Sequence, residues 1–155
     1  MHDIIDEFKD KHRFLSNFYE SPIIINNQKW LTVEHVFQAS KTTNLSEREY
    51  MRNIKTPMEV RRYGKTKVQL RSDWEDVKLN IMLKSLYLKF TQNNNLTTKL
   101  LQTRGWELVE GNTFHDNYWG NCTCFKCSNI PGQNNLGRLL MYIRDVAISK
   151  YNVPY

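Results

Sequence analysis

Apolar and polar positions follow three rhythms along this chain, and each predicts a different kind of element. Ile23-Ile24-Ile25, the pair Asn26-Asn27 and then Lys29-Trp30-Leu31 predict a small β-hairpin, since two asparagines suit a tight turn between short apolar runs. Apolar or small residues at Val33, Val36, Phe37 and Ser40, behind Thr32 as N-cap and with Glu34 in the first turn, predict a helix over Val33 to Thr42. Ser46 to Glu49 and Thr56 to Glu59 match capping boxes, the second with Pro57 in the favoured first helical position, and predict two short helices. A third box, Ser72 to Glu75, opens a longer helix whose stripe Trp74, Val77, Ile81, Met82, Leu86 and Leu88 runs to about Phe90, where Asn93-Asn94-Asn95 stops it. Leu96 to Arg104 reads as a helix halted by Gly105, Trp106 to Val109 as a short strand, and Asn134 to Lys150 as the closing helix. Residues 1–13 read as a polar lead-in. The expected fold is mainly α, with a few short strands.

Composition narrows the picture without changing it. The chain has 155 residues, 40% hydrophobic and 25% charged, which suits one folded domain over residues 1–155 and argues against disorder. No repeat, low-complexity segment or Pro/Gly/Ser-rich linker divides it. No apolar run approaches the roughly 20 residues of a membrane span, and the acidic Met1-His-Asp-Ile-Ile-Asp-Glu7 lacks the plan of a signal peptide, so a cytoplasmic protein with no membrane partner is expected. The sequence carries no indication of oligomeric state. The formal net charge of +6 favours anionic partners. Arg61, Arg62, Lys65, Lys67 and Arg71 fall between Glu59 and Asp73 with no acidic residue among them, either as a solvated helix face or as a phosphate-facing patch.

Chemistry-bearing residues cluster in three places. Glu34, Gln38 and Lys41 share one face of the predicted helix, so a carboxylate, an amide and an amine converge there. Asp116-Asn-Tyr-Trp-Gly120 sets a carboxylate and two aromatics on a loop ahead of the last apolar helix. Cys122, Cys124 and Cys127 lie within six residues, an odd count that argues against a disulfide framework in a reducing compartment and leaves metal ligation or incidental thiols. Phosphate-binding and nucleophile-elbow motifs are absent from the sequence.

Five stretches, in order over nearly the whole chain, carry a resemblance: Phe14-Leu-Ser-Asn-Phe18, Trp30-Leu-Thr-Val-Glu-His-Val-Phe-Gln-Ala-Ser-Lys41, Leu70-Arg-Ser-Asp-Trp-Glu-Asp-Val-Lys78, Asp116-Asn-Tyr-Trp-Gly120 and Asn134-Asn-Leu-Gly-Arg-Leu-Leu-Met141. Together they resemble the YbiA-like, or NADAR, family of N-glycosidases. The resemblance implies a compact, mainly α domain that hydrolyses the bond between ribose C1 and an amino nitrogen. It implies two substrate classes: ADP-ribose attached to guanine in nucleic acid, and phosphoribosylated pyrimidine intermediates of riboflavin synthesis. By motif position the family's functional glutamate falls on Glu34, its tryptophan on Trp74 and its acidic residue on Asp116.

Such a cleavage builds positive charge on the sugar while the departing amine needs a proton, and two carboxylates, Glu34 and Asp116, suit those needs. Lys41 permits another route, attack of its amine on C1 of ring-opened ribose to give a Schiff base. Trp74 and Trp119 suit stacking on a base or a place in the core. Asn17 and Asn134 are candidate partners for ribose hydroxyls, Arg71 and Arg13 for phosphate. Catalysis by this set requires no cofactor. The cysteine loop departs from the simplest family pattern: with His115 it offers a Cys3His set for a structural zinc, although C-x-C-x-x-C is not a standard knuckle and His115 also adjoins Asp116. The partners expected are a ribosylated or ADP-ribosylated base and, through the basic charge, DNA. ADP-ribose removal from guanine is the favoured activity, riboflavin intermediates the alternative, and a non-catalytic ADP-ribose or nucleic-acid binding module the reading of another class.

Overall fold

Short polar caps and buried apolar faces set the order of elements. In the computed structural model, which describes residues 2–148, the chain runs β1 (Ile4–Ile5), a 310 turn (Asp10–Leu15), β2 (Ile23–Ile25), β3 (Gln28–Trp30), α1 (Val33–Ala39), α2 (Leu45–Arg52), α3 (Pro57–Thr66), α4 (Trp74–Gln92), α5 (Asn94–Leu101), β4 (Glu107–Leu108), β5 (Gly111–Asn112), β6 (Asn121–Cys122), a 310 turn (Phe125–Cys127) and α6 (Asn135–Tyr142), which passes into a π-helical turn (Ile143–Ala147). The fold is mainly α, as the sequence predicts. No described helix is long and apolar enough to cross a membrane. The chain forms two compact units, one from Asn17–Asn93 and the other from Met1–Ser16 with Asn94–Tyr155.

In the unit Asn17–Asn93, α1 is the hub. All seven of its residues are buried, and it packs on α2, α3 and α4. Thr32 caps it as expected, its hydroxyl accepting from the His35 amide at 3.1 Å. The helix ends at Ala39, not Thr42, because the carbonyls beyond it are taken by other segments: Arg71 N–H donates to Lys41 O at 2.7 Å and Arg48 Nε to Thr42 O at 2.6 Å. The hairpin pairs Ile23 with Trp30 and Ile25 with Gln28, and Asn26 and Asn27 both take positive φ, 50° and 62°, as a tight primed turn requires.

Two caps differ from the sequence reading. Asn44, not Ser46, caps α2, accepting from Glu47 N, so the helix starts two residues earlier; Thr56 caps α3 as predicted. The box at Ser72 does not form. Asp73 stands at the N-cap of α4 but its carboxylate grips the Arg71 guanidinium at 2.6 and 3.0 Å. The α4 stripe also shifts: Val77, Ile81 and Leu88 are half-buried, whereas Lys89 is fully buried with its Nζ 5.7 Å from the Tyr19 ring centre and 5.2 Å from that of Phe90.

In the other unit, the expected polar lead-in is part of the structure. Ile5 and Phe8 are buried, and β1 pairs in parallel with β4, Ile4 opposite Glu107 and Ile5 opposite Leu108. Helix α5 spans Asn94–Leu101, starting two residues early and ending three short of Arg104, with Thr103 and Trp106 carbonyls held by the buried Arg144 at 2.9 and 2.8 Å. Helix α6 packs on β4 and ends at Tyr142 rather than continuing regularly; the last two residues of the predicted closing helix, 149 and 150, lie outside the described residues. A second parallel pair, Gly111 with Asn121 and Asn112 with Cys122, brackets the loop that carries Asp116.

Candidate active site

The site residues predicted from sequence fall into two groups, one in each unit. In the unit Asn17–Asn93, α1 positions the first. Glu34 and Gln38 are one helical turn apart, only 6% and 5% exposed, and the Gln38 amide donates to Glu34 Oε1 at 2.8 Å. The Glu34 amide in turn donates to Asn17 O at 3.2 Å, which fastens the Phe14–Phe18 motif's last residues to the start of α1. Asn17 Nδ2 lies 3.5 Å from Met82 Sδ, and its Oδ1, like Gln38 Oε1, is buried without a hydrogen-bond partner. Burying two such acceptors unpaired is costly unless a ligand donor completes them.

Lys41 follows α1 in its terminal turn, its Nζ donating to Gly64 O at 3.2 Å and standing 5.9 Å from the Trp74 ring centre. Burial pushes its amine below the ordinary lysine range; the charge on Glu34 opposes this, and Lys65 and Arg61 add to it. Glu34 and two members of the basic run therefore share one electrostatic neighbourhood with Lys41. Gly64 belongs to none of the sequence motifs, and a Cβ there would fall 1.9 Å from Gln38 Oε1, so any larger residue has to displace the Gln38 side chain.

Trp74 is 7% exposed and tilted against Phe37, ring centres 5.0 Å apart, which makes it a wall of this region. Arg71 does not present an open fork: Asp73 holds it in two places and Ser40 O lies 3.5 Å from its Nη1. Arg61 instead lies over the Phe18 ring at 5.9 Å. His35 is a core residue, its Nδ1 2.8 Å from Thr32 Oγ1 and its Nε2 2.8 Å from Ile54 O; burial lowers its pKa and the Ile54 carbonyl works against that.

The second group lies in the other unit. Asp116 Oδ1 accepts from the Tyr118 amide at 3.1 Å and the Trp119 amide at 2.9 Å, which fixes the carboxylate across its own turn. Asn112, which belongs to no sequence motif, holds the same residue from β5: its Oδ1 accepts from Asp116 N at 3.2 Å and its Nδ2 donates to Asp116 O at 2.8 Å. Trp119 is half-buried, edge-on to Tyr118 at 4.8 Å. The amides opening α6 are satisfied by this loop, Asn134 N on Gly120 O, Asn135 N on Tyr118 O and Leu136 N on Trp119 O. Asn134, at φ 50°, spends its side chain on backbone, accepting from Glu110 N at 3.0 Å and donating to Leu108 O at 2.8 Å. Arg13 is exposed on the 310 turn Asp10–Leu15.

His115 and the three cysteines come together. Their four donor atoms all lie within 4.8 Å of one another, with His115 Nδ1 3.3 Å from Cys124 Sγ and 3.4 Å from Cys127 Sγ. Burial opposes ionisation of Cys122, but hydrogen bonds from the amides of Cys124 and His115 and from the neighbouring thiols outweigh it and the thiol is lowered; Cys127, hydrogen-bonded to Cys122 and buried, is pushed up to about 11. The donor set, closed and rich in sulfur, fits a tetrahedral metal site.

Comparison with known proteins places this arrangement. A model of the NADAR domain matches residues 5–146. The N-glycosidase YbiA of Escherichia coli K12 is 39% identical over 155 residues, covering 97% of this chain and 93% of its own. An N-glycosidase of Nostoc punctiforme is 36% identical over 134 residues, 84% of this chain and 82% of its own, and a riboflavin biosynthesis protein of Vibrio vulnificus is 31% identical over 137 residues, 88% of this chain and 36% of its own. The NMR structure of Escherichia coli YbiA superposes with a TM-score of 0.83 at 37% identity, over 99% of this chain and 90% of that one. With a family match across both groups of motif residues and named enzymes among its full-length relatives, the chain belongs to the NADAR domain family of N-glycosidases.

Proposed function

We propose that this N-glycosidase removes ADP-ribose from guanine bases in nucleic acid, with Glu34, Lys41 and Asp116 as its catalytic residues. The observation that carries the reading is the neighbourhood of Lys41, in which a buried Glu34, the Trp74 wall and the charges of Arg61 and Lys65 all act on one amine. A ribosyl transition state needs an anion beside C1, a proton for the departing nitrogen, and cations for the phosphates that follow the sugar. Glu34 supplies the anion in a desolvated setting where its charge counts for more. Asp116 is the second carboxylate that the family motif assigns to catalysis. Water adds to C1 as the C1–N bond breaks, and the amine leaves with the proton it receives.

Lys41 favours a second route to the same products, because burial holds more of its amine neutral at a given pH than an exposed lysine would be. In that route Nζ attacks C1 of ring-opened ribose, the base nitrogen leaves protonated, and water hydrolyses the imine. Trp74, Trp119 and Asn17 complete the proposed substrate contacts, with Asn134 shaping the loop through its backbone bonds, and with Arg13 and an Arg71 that exchanges Asp73 for phosphate as phosphate partners. In the same enzyme, the Cys3His cluster supports a structural zinc, leaving the bond cleavage to side chains.

Net charge of +6 supports a nucleic-acid substrate. The Vibrio vulnificus relative, named for riboflavin biosynthesis, supports phosphoribosylamino-pyrimidine intermediates as the alternative. The deciding experiment offers both substrates separately to the purified protein and follows the released sugar by mass spectrometry. Release from ADP-ribosylated guanine in DNA, at least about tenfold more efficient in kcat/KM, is expected. The reverse preference would transfer the assignment to the riboflavin intermediate.

A further inference from the structure

The segment after β6 is ordered without a core. Of residues 123–131 only Cys127 is buried, while Phe125 is 95% and Ile130 55% exposed. Ordering a chain costs conformational entropy that apolar burial normally offsets, and here that burial is missing. What the segment does bring together is Cys124 and Cys127 with Cys122 and His115.

The spacing of these donors suits one ion. In a tetrahedral zinc site, with Zn–S of ~2.3 Å and Zn–N of ~2.0–2.1 Å, neighbouring donors stand ~3.5–3.8 Å apart. The two His115 Nδ1 to sulfur distances, 3.3 and 3.4 Å, are near that edge length, and no pair in the set exceeds 4.8 Å. The surroundings are those of a ligand set: His115 N–H donates to Cys122 Sγ at 3.3 Å, and His115 takes the left-handed conformation, φ 67°. Four protein donors close the coordination sphere and leave no open position for substrate, as in structural zinc sites.

Its location gives the ion a role. His115 directly precedes Asp116, and Cys122 ends β6, opposite Asn112 of β5. Asn112 holds Asp116 through both of its amide atoms. The end of the loop 113–120, residues 118–120, is held by the amides opening α6, but its base is closed by a parallel pair only two residues long. Joining residue 115 to residues 122, 124 and 127 closes it a second time, right beside the carboxylate.

Resting on that assignment of zinc to the cluster, we propose that the ion is the staple that fixes the Asp116 loop: His115, Cys122, Cys124 and Cys127 bind one zinc, and its loss frees residues 113–120. The experiment measures metal content and amide hydrogen exchange on the same purified full-length chain. One zinc per chain is expected, replaceable by cobalt with the visible absorption of a tetrahedral thiolate site. After chelation under reducing conditions, amides of residues 113–120 are expected to exchange at least about tenfold faster, with α1 and α4 unchanged. Trypsin should then cut after Lys126. Cys124→Ser should reproduce this in the presence of zinc; if that variant does not fold, cobalt reconstitution of the wild-type chain still decides. Failure to retain zinc or to develop the cobalt absorption overturns both the metal and the staple. A stoichiometric ion whose removal leaves exchange at 113–120 unchanged overturns the staple alone.

Discussion

The Glu34 platform and the Asp116 loop hold their carboxylates by opposite means. Glu34 sits on a helix buried at every position and packed on three others, so its place is set by shape. Asp116 sits on a loop where amides, an asparagine and a sulfur-rich donor set do the holding. The contrast teaches that an enzyme of this size can position one reactive group by packing and another by polar clasps, and that the two should fail in different ways. Packing fails gradually, as side chains shift to fill space. A polar clasp fails when one partner is removed and the other is left unpaired.

The largest expected effects come from neutralising each carboxylate without disturbing how it is held. Glu34→Gln keeps an oxygen that can accept from Gln38, and Asp116→Asn keeps one for the Tyr118 and Trp119 amides. Each should lower kcat by at least about 100-fold with the circular dichroism spectrum unchanged. Near-normal turnover in either variant would remove that residue from the mechanism.

Next comes Lys41, whose substitution sharpens the packed side of the comparison. Lys41→Arg retains a cation near Trp74 but cannot form an imine. If Lys41 is the nucleophile, activity falls to background and borohydride added during turnover no longer traps a sugar on the chain. If it acts only through charge, the wild type gives no adduct and arginine keeps part of the rate. An adduct on a different lysine, with Lys41→Arg fully active, would falsify the role proposed for it.

The same division, packed against clasped, explains what was legible in the sequence. Local rules carried far: the Asn26-Asn27 turn and the Thr32 and Thr56 caps depend on neighbours only, and each forms as read. Glu34 with Gln38 was legible from spacing, and the cysteines from ligand spacing within six residues. Competition between good local signals was not legible. Asn44 outbids Ser46 for α2, and Asp73 gives its carboxylate to Arg71 instead of capping α4. Long-range partners were invisible for a physical reason. Two-residue strands such as β1 and β4 have no periodicity to detect, and a lysine buried between aromatic rings, Lys89, counts as polar in any pattern. Gln38 against Gly64, like Asn112 against Asp116, exists only once the chain has folded.

Two glycines break the two regions differently. At Gly120 a Cβ would meet Glu110 O at 2.1 Å, a backbone atom that cannot move alone, so Gly120→Ala should cost about 1–3 kcal/mol in urea denaturation. At Gly64 the obstacle is the end of the Gln38 side chain, which can swing aside at the expense of its bond to Glu34. Gly64→Ala should therefore lose less stability, about 1 kcal/mol, and proportionally more kcat. A stability loss at Gly64 equal to that at Gly120 would mean that the platform is as rigid as the loop's backbone.

The smallest effect expected is a pH dependence confined to the packed region. His35 is fully buried, and burial holds its pKa below the ordinary 6.5, with the Ile54 carbonyl opposing. In the neutral ring, Nε2–H donates to Ile54 O and Nδ1 accepts from the Thr32 hydroxyl, which also receives the His35 amide; protonating Nδ1 reverses the second bond and takes the acceptor away from the buried hydroxyl hydrogen. The sign follows from linkage. Between its folded and unfolded pKa values the unfolded chain binds more protons, so stability rises with pH in that window. The contribution is fully present above about pH 6.5 and is lost progressively as pH falls toward the folded value. Urea midpoints at pH 7.5 and 5.5 should thus differ in favour of the higher pH. His35→Asn should be less stable at both, with a smaller difference between them, because it removes the titrating ring. If the difference survives in His35→Asn at full size, the dependence comes from elsewhere in the chain and His35 is only a packing residue of α1.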